Sequence, residues 1–355
     1  MNANKVYKIL TALLVMQWAF IQLIALNHSF IETYYSNGVY LYISRFYRVL
    51  FGWVSFSVGD LLYIFLIFII AKLIINLFKF KDIKNSLFKI TGTLSVIFFF
   101  FHLNWALNYF RQPISETLNI SISNYSNEDL IDFTKRLIIK TNKVHKHLVK
   151  NDTLLYENSL SKNKIKAIAP TAYEDLEKKY VQFAYKNSTV KHSLFSIPLT
   201  YMGFAGYLNP LTNEAQVNSL IPKNNYPATV CHEIAHQVGY ASESEANFIG
   251  YLAATHSRED YFNYSGYLMA LRYCISEVYR KDPNSFEELK LLISKGILKD
   301  LKQSQEFWES YNNWTEKYFK SFYDNYLKAN KQKDGIVGYS KMVTLLINYY
   351  KTKEL

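Results

Sequence analysis

Three long apolar runs near the start of the chain predict three membrane-spanning helices. Ile9 to Leu26 and Ile90 to Phe110 hold 18 and 21 residues without a charge. Leu61 to Phe78 is interrupted only by Lys72, which lies near one end and can extend its ammonium toward the headgroups. Since about 20 apolar residues cross a bilayer as a helix, we expect residues 1–111 to be a membrane region with transmembrane helices at about 9–26, 61–78 and 90–110. A cleaved signal peptide is the alternative for the first run, but no small-residue cleavage site follows it.

The charges indicate how these helices are oriented. Residues 1–111 carry 10 basic and 3 acidic side chains, and the other 244 residues carry 30 and 26. That second balance is too even for nucleic-acid binding, so the expected partner is the lipid bilayer. Six lysines flank the start of the first run, the end of the second and the start of the third, and only three arginines flank the other ends: Lys5, Lys8, Lys79, Lys81, Lys84 and Lys89 against Arg45, Arg48 and Arg111. The positive-inside rule therefore predicts a cytoplasmic N-terminus and an extracytoplasmic domain over 112–355.

The pattern after residue 126 is mainly helical. Helix-start signals occur at Ser126 with Asp129, Thr171 with Glu174, and Ser285 with Glu288. One stretch differs, because the aromatic and glycine-containing run Leu199 to Tyr207 is typical of an extended edge segment. The fold class we expect is mainly α, with N-terminal transmembrane helices followed by a mostly helical domain that contains a short β element.

The run HEIAH at residues 232–236 is the strongest chemical signal. Positions i and i+4 of a helix share one face, so His232 and His236 can bind one zinc ion while Glu233 lies beside it. Pro227 can open this helix and Gly239 can end it, which predicts a helix from about Pro227 to Val238.

A catalytic zinc site needs a third protein ligand, and the following segment SESEAN supplies two carboxylates. Ser242 and Glu245 fit a capping box, which would occupy Glu245 at the start of a helix. Glu243 is therefore the expected third ligand, and Glu245 is the alternative.

The run HEIAHQVGYASESEANF resembles the signature of a family of bacterial multi-pass membrane proteins of unknown function. The resemblance continues over MGFAGYLNPLTNEAQVN and YSGYLMAL and implies a location in the bacterial inner (plasma) membrane. The ExxAN portion is similar to the ExxAD motif of membrane zinc endopeptidases of the CAAX-prenyl-protease and heat-shock protease class. There the first glutamate binds zinc, which implies the same role for Glu243. Two differences are that Asn247 replaces the aspartate and that the spacing after His236 is much shorter.

These motifs favour a zincin-like, gluzincin-like metallopeptidase that cleaves peptide bonds, with Glu233 as the general base for a water activated by the zinc. We expect a peptide or protein substrate to pair with the edge segment at Gly203, Phe204 and Ala205. Tyr267, or Tyr264, could donate a hydrogen bond to the oxyanion, although core packing is the common role of tyrosine. The alternatives are a catalytically inactive zinc-binding membrane protein that serves interaction or assembly, and an amidase acting on cell-wall peptides. Glu233 favours activity, since a structural site needs no base.

Overall fold

The computed structural model describes residues 3–79, 82–330 and 339–355, so Lys81, used above for the orientation, lies outside the described residues. The chain is mainly helical with one small sheet. The α-helices are α1 Ala3–Ile24, α2 His28–Phe30, α3 Tyr40–Gly52, α4 Val58–Lys79, α5 Ile83–Asn104, α6 Ile114–Thr117, α7 Asn127–Leu148, α8 Lys162–Glu177, α9 Ser196–Met202, α10 Tyr226–Gln237, α11 Glu243–His256, α12 Asp260–Lys281, α13 Pro283–Leu292, α14 Lys295–Ser310, α15 Glu316–Ala329 and α16 Tyr339–Tyr349. A π-helix spans Ile31–Val39, 3₁₀ helices span Ala106–Phe110 and Val181–Phe183, and the strands are β1 Val190–His192, β2 Gly206–Asn209 and β3 Glu214–Val217.

Three of these helices, α1, α4 and α5, are long and apolar enough to cross a membrane, which confirms the expected number. Their ends differ from the apolar runs. The α1 helix begins six residues before Ile9, because a helix can continue through polar residues that hydropathy excludes. The α5 helix stops at Asn104 rather than Phe110, because Trp105 has non-helical dihedral angles and a 3₁₀ turn follows it.

The chain divides into two compact units, of which the first comprises Met1–Gln112 and Leu208–Glu214. Within it α1 packs closely along α5, where Thr11 Oγ1 lies 2.7 Å from Thr91 Oγ1. The Glu214 carboxylate accepts hydrogen bonds from the Val58 and Gly59 amides at the start of α4. This carboxylate therefore satisfies amides that the first turn of a helix leaves unpaired.

The second unit comprises Pro113–Tyr207 and Ala215–Leu355. Its core is formed by α10 against α11, α11 against α12, and α12 against α7, with α8 and α16 packed around them. The strand order is β1-β3-β2, so β2 lies at an edge, and β1 pairs in parallel with β3 from Val190 opposite Ala215 to His192 opposite Val217. The short connection between the neighbouring β2 and β3 makes that pair antiparallel.

The predicted helix starts are right in one case and wrong in two. Ser126 and Asp129 form the expected capping box of α7. Thr171 lies inside α8, where its hydroxyl donates to the Ile168 carbonyl, and Ser161 caps that helix. Ser285 lies inside α13, which Asp282 caps. Short capping signatures also occur inside helices, and in α8 and α13 an earlier residue caps the helix.

The prediction of an extended segment over Leu199 to Tyr207 is wrong for its first half. Residues up to Met202 belong to α9, and strand β2 begins only at Gly206. Gly203 ends α9 with a φ of 79°, a left-handed conformation that favours glycine at the end of a helix. The β-compatible composition did not reveal this helix, because a helix of seven residues depends on its surroundings more than on its own propensity.

Candidate metal centre

The α10 helix carries the HEIAH run and is bounded by local signals. Pro227 lies in its first turn, where no amide donor is needed, and Gly239 follows its end with a φ of 101°. The chain reverses there and enters α11 at Glu243, and the two helices pack closely. A Cβ placed on Gly250 of α11 would lie 2.8 Å from the His232 amide nitrogen, so glycine is required for this approach.

Three side chains converge at the contact between α10 and α11. The Nε2 atoms of His232 and His236 are 3.1 Å apart, Glu243 Oε2 is 3.3 Å from His232 Nε2, and Glu243 Oε1 is 3.7 Å from His236 Nε2. Two ligands at zinc–nitrogen or zinc–oxygen bond lengths around a tetrahedral zinc are themselves about 3.4 Å apart. The spacing and chemistry of these donors therefore fit a zinc ion.

The Nδ1 atom of His236 orients its ring for metal binding. His236 Nδ1 lies 2.7 Å from the Tyr240 carbonyl oxygen, which fixes Nδ1 as the donor and leaves the Nε2 lone pair directed at the cluster. His232 Nδ1 is buried and has no hydrogen-bond partner among the described residues.

The two glutamates at the start of α11 have different surroundings. Glu245 Oε1 accepts a hydrogen bond of 2.8 Å from the Ile114 amide, whereas Glu243 faces both histidines. The capping box expected from Ser242 and Glu245 does not form, since Ser242 makes no side-chain capping bond and its hydroxyl lies 3.1 Å from the Ser244 hydroxyl. Glu245 thus accepts a hydrogen bond from the amide of a residue far away in the sequence.

Glu233 completes the cluster from the buried side. One ligand atom each of His232, Glu233 and His236 lies within 4.8 Å of the others, and Glu233 is only 2% exposed. Its Oε2 has no hydrogen-bond partner among the described residues, and burial raises the pKa of this carboxyl to about 8. A Cβ on Gly206 would come within 2.4 Å of Glu233 Oε1, so strand β2 presses against the carboxylate.

The charges of the cluster are unequal. Burial lowers the pKa of His236 to about 4, so its imidazole is neutral at physiological pH, the form that binds metals. Burial also lowers the pKa of His232, but the hydrogen bond to Glu243 and the nearby carboxylates outweigh it and the net pKa is raised. Partial burial raises the pKa of Glu243, and hydrogen bonding with His232 outweighs this and lowers it. The two shifts share one cause, because His232 and Glu243 each favour the charged form of the other.

The residues expected to bind substrate are only partly near this cluster. The Phe204 and Ala205 carbonyls accept hydrogen bonds from Asn218, and a Cβ on Gly203 would lie 3.1 Å from Glu316 Oε1. The Tyr264 hydroxyl donates to Asp300, and the Tyr267 ring contacts Tyr251 and the Lys140 ammonium. Asp300 and Tyr251 are buried, so both tyrosines contact the core, and Tyr267 also meets the half-buried Lys140.

Two contacts at the cluster were not predicted from the sequence. The Tyr323 hydroxyl donates to Glu243 Oε1 over 2.5 Å, from a helix 80 residues further along the chain. The other is the contact of Gly206 with Glu233. No local signal distinguishes Tyr323 among 30 tyrosines, whereas Gly206 stands in the glycine-containing run before the motif.

The chain is thus mainly helical, with three apolar N-terminal helices and a cluster of histidines and carboxylates. The chain belongs to the family described as "Protein of unknown function (DUF3810)", whose model matches residues 35–347. This confirms the resemblance to such a family noted from HEIAHQVGYASESEANF. No curated protein and no solved structure matches the chain.

Proposed function

We propose that this chain is a membrane-anchored zinc metallopeptidase in which His232, His236 and Glu243 hold the metal and Glu233 is the general base. The observation that carries this proposal is the convergence of Nε2 of His232, Nε2 of His236 and Oε2 of Glu243 at separations of 3.1 and 3.3 Å. These are separations expected of ligands that share one zinc ion. The zincin-like character of the domain is part of the same proposal.

An accessible site supports catalysis over a purely structural role. The Glu243 side chain is 31% exposed and that of His232 is 13% exposed, so solvent reaches the cluster from the Glu243 side. A structural zinc is commonly enclosed by four protein ligands rich in cysteine, whereas the nearest cysteine, Cys231, is fully buried. In such a structural site Glu233, which lies beside the two histidines, would have no role.

When bound, zinc would supply a Lewis acid that makes water more acidic and polarises a carbonyl group. Glu233 would act in its ionised form, which burial disfavours and a bound cation beside it would favour. It would accept the proton of the attacking water and return it to the leaving amine. Strand β2 at Gly206 leaves no room for a side chain beside one Glu233 oxygen, and the other oxygen has no hydrogen-bond partner among the described residues and is open to a proton. His236 stays neutral through burial and is oriented by the Tyr240 carbonyl.

The substrate class follows from the edge of the sheet. Strand β2 is terminal in the order β1-β3-β2 and begins at Gly206, next to Glu233. An extended peptide that adds to this edge would bring its backbone near the base irrespective of side chains. Together with the three apolar helices and the distribution of lysines, this supports a peptidase of the bacterial inner membrane whose catalytic residues face the extracytoplasmic side.

Replacing the base tests catalysis without removing the metal ligands. We expect purified wild-type protein loaded with zinc to cleave a quenched-fluorescence peptide library or unfolded casein. Glu233→Gln should retain zinc but cleave at least about 10²-fold more slowly, the contribution of a positioned base. Glu245→Gln is the matched control and should cleave normally. Equal cleavage by wild type and Glu233→Gln contradicts the proposed mechanism. A zinc-containing wild type that cleaves neither probe supports the interaction-protein alternative.

A further inference from the structure

The Tyr323 hydroxyl contacts Glu243 from outside α10 and α11. It donates to Oε1 over 2.5 Å, while Oε2 lies 3.3 Å from His232 Nε2. The phenol thus engages Oε1, the oxygen that also faces His236, and leaves Oε2 directed toward His232. Glu243 is also the most exposed of the three donors, so it has the greatest freedom for such a bond to restrict.

The ring of Tyr323 is itself held in place. Phe204 meets it edge-on with centroids 5.1 Å apart, and Tyr326 stacks on it at 6.0 Å with an interplanar angle of 16°. At the other end of the same helix, Glu316 approaches Gly203, one residue before Phe204. Phe204, in the segment before β2, therefore packs against the ring that carries the Tyr323 hydroxyl.

The helix that carries Tyr323 is otherwise lightly attached. Within α15, all of which the structure describes, Leu327 is the one buried residue. Tyr318 and Phe322 point outward, and α9 is the main element on which α15 packs. A peripheral helix with so little buried surface docks with a small free energy, so a single bond to a carboxylate is a large part of its attachment.

We infer that Tyr323 is a positioning residue for Glu243 and that it links the docking of α15 to occupancy of the metal centre. This inference rests on the proposed zinc site. Hydrogen-bond partners of metal ligands commonly contribute 10- to 100-fold to metal affinity. Because linkage is reciprocal, a helix that improves metal binding must dock more firmly when metal is bound.

The test combines zinc affinity with hydrogen exchange on the full chain in detergent. Zinc affinity is measured by competition with a chromophoric chelator for wild type, Tyr323→Phe and Tyr326→Phe. We expect Tyr323→Phe to bind zinc about 10- to 100-fold more weakly. Tyr326→Phe, which keeps the stacked ring and removes only the neighbouring hydroxyl, should match wild type. Zinc should slow amide exchange over residues 316–329 in wild type and Tyr326→Phe but not in Tyr323→Phe.

The outcomes separate this inference from the proposed function. Wild-type zinc affinity in Tyr323→Phe overturns the positioning role and leaves the zinc site standing. Wild-type protein that binds no zinc overturns both. If Tyr323→Phe does not accumulate, wild type alone still decides the linkage, because exchange over α15 that zinc does not change contradicts it.

Discussion

At the scale of single residues, Glu243 and Glu245 differ in what their carboxylates contact. Glu243 meets both histidines, and Glu245 holds the Ile114 amide. We therefore expect Glu243→Gln to weaken zinc binding by at least tenfold, because it replaces a charged ligand with a neutral one. Glu245→Gln should leave zinc affinity unchanged, since an amide oxygen can still accept from Ile114. Zinc titration of both variants checks this, and a larger loss in Glu245→Gln would transfer the ligand role to Glu245.

Gly206 offers a second test at this scale. In Gly206→Ala the new methyl group would lie 2.4 Å from Glu233 Oε1 and 2.7 Å from the Gln216 carbonyl oxygen. We expect the variant to lose about 1–3 kcal/mol of stability through overpacking. It should retain zinc but cleave peptides poorly, because the base is displaced and the ligands are not. Thermal unfolding, zinc content and peptide cleavage are the measurements, and normal cleavage would show that Glu233 does not depend on this contact.

The chemical residues were predictable to different degrees. His232, Glu233 and His236 follow from helical spacing alone, since one face of a helix brings them together. The choice of Glu243 agrees with its position beside the histidines, but the argument used for it does not hold, because Ser242 forms no capping box. Tyr323 could not be predicted, because its contact arises from tertiary packing of a distant helix.

At the scale of elements, the close approach of α10 and α11 depends on Gly250. A Cβ there would lie 2.8 Å from the His232 nitrogen and 2.9 Å from its Cα, both backbone atoms that cannot move aside. Alanine gains about 1 kcal/mol of helix propensity over glycine, but overpacking costs about 1–3 kcal/mol, so Gly250→Ala should be destabilised on balance and bind zinc more weakly.

Gly266→Ala is the matched control for this helix contact. Its Cβ would meet the Ala254 and Thr255 side chains at 2.9 Å, away from the histidines. It should lose stability without losing zinc affinity. Thermal unfolding and zinc titration on both variants decide the question, and normal zinc affinity in Gly250→Ala would show that α10 tolerates displacement.

Helices were predicted well where residues at their own ends determine where they begin and end. The expected helix Pro227 to Val238 is observed as Tyr226–Gln237, because a proline and a left-handed glycine act locally. The α9 helix and the starts of α8 and α13 were missed, because tertiary context decides short helices and selects among several capping residues.

At the scale of the whole molecule, the apolar runs predicted the number of long apolar helices but not their ends. Hydropathy marks the part of a helix suited to hydrocarbon, whereas hydrogen bonding carries α1 and α4 beyond it. At Trp105 the backbone rather than the composition ends α5, six residues before the end of the apolar run.

The lysine distribution makes a further prediction for the whole chain. An alkaline phosphatase fused after Leu355 should be active, because that enzyme needs an oxidising extracytoplasmic compartment. A fluorescent cytoplasmic reporter at the same position should be inactive. Fusions to a chain truncated after Lys84 serve as the control and should give the opposite pattern. An active cytoplasmic reporter after Leu355 would reverse the proposed orientation.

The central claim is that one zinc ion is held by His232, His236 and Glu243, and metal content tests it most directly. The measurement is elemental analysis of purified wild-type protein and of His232→Ala at matched amounts of folded chain. We predict one zinc per chain in wild type and almost none in His232→Ala, because that substitution removes a ligand and leaves two. Equal zinc content in the two proteins, or none in either, would contradict the account.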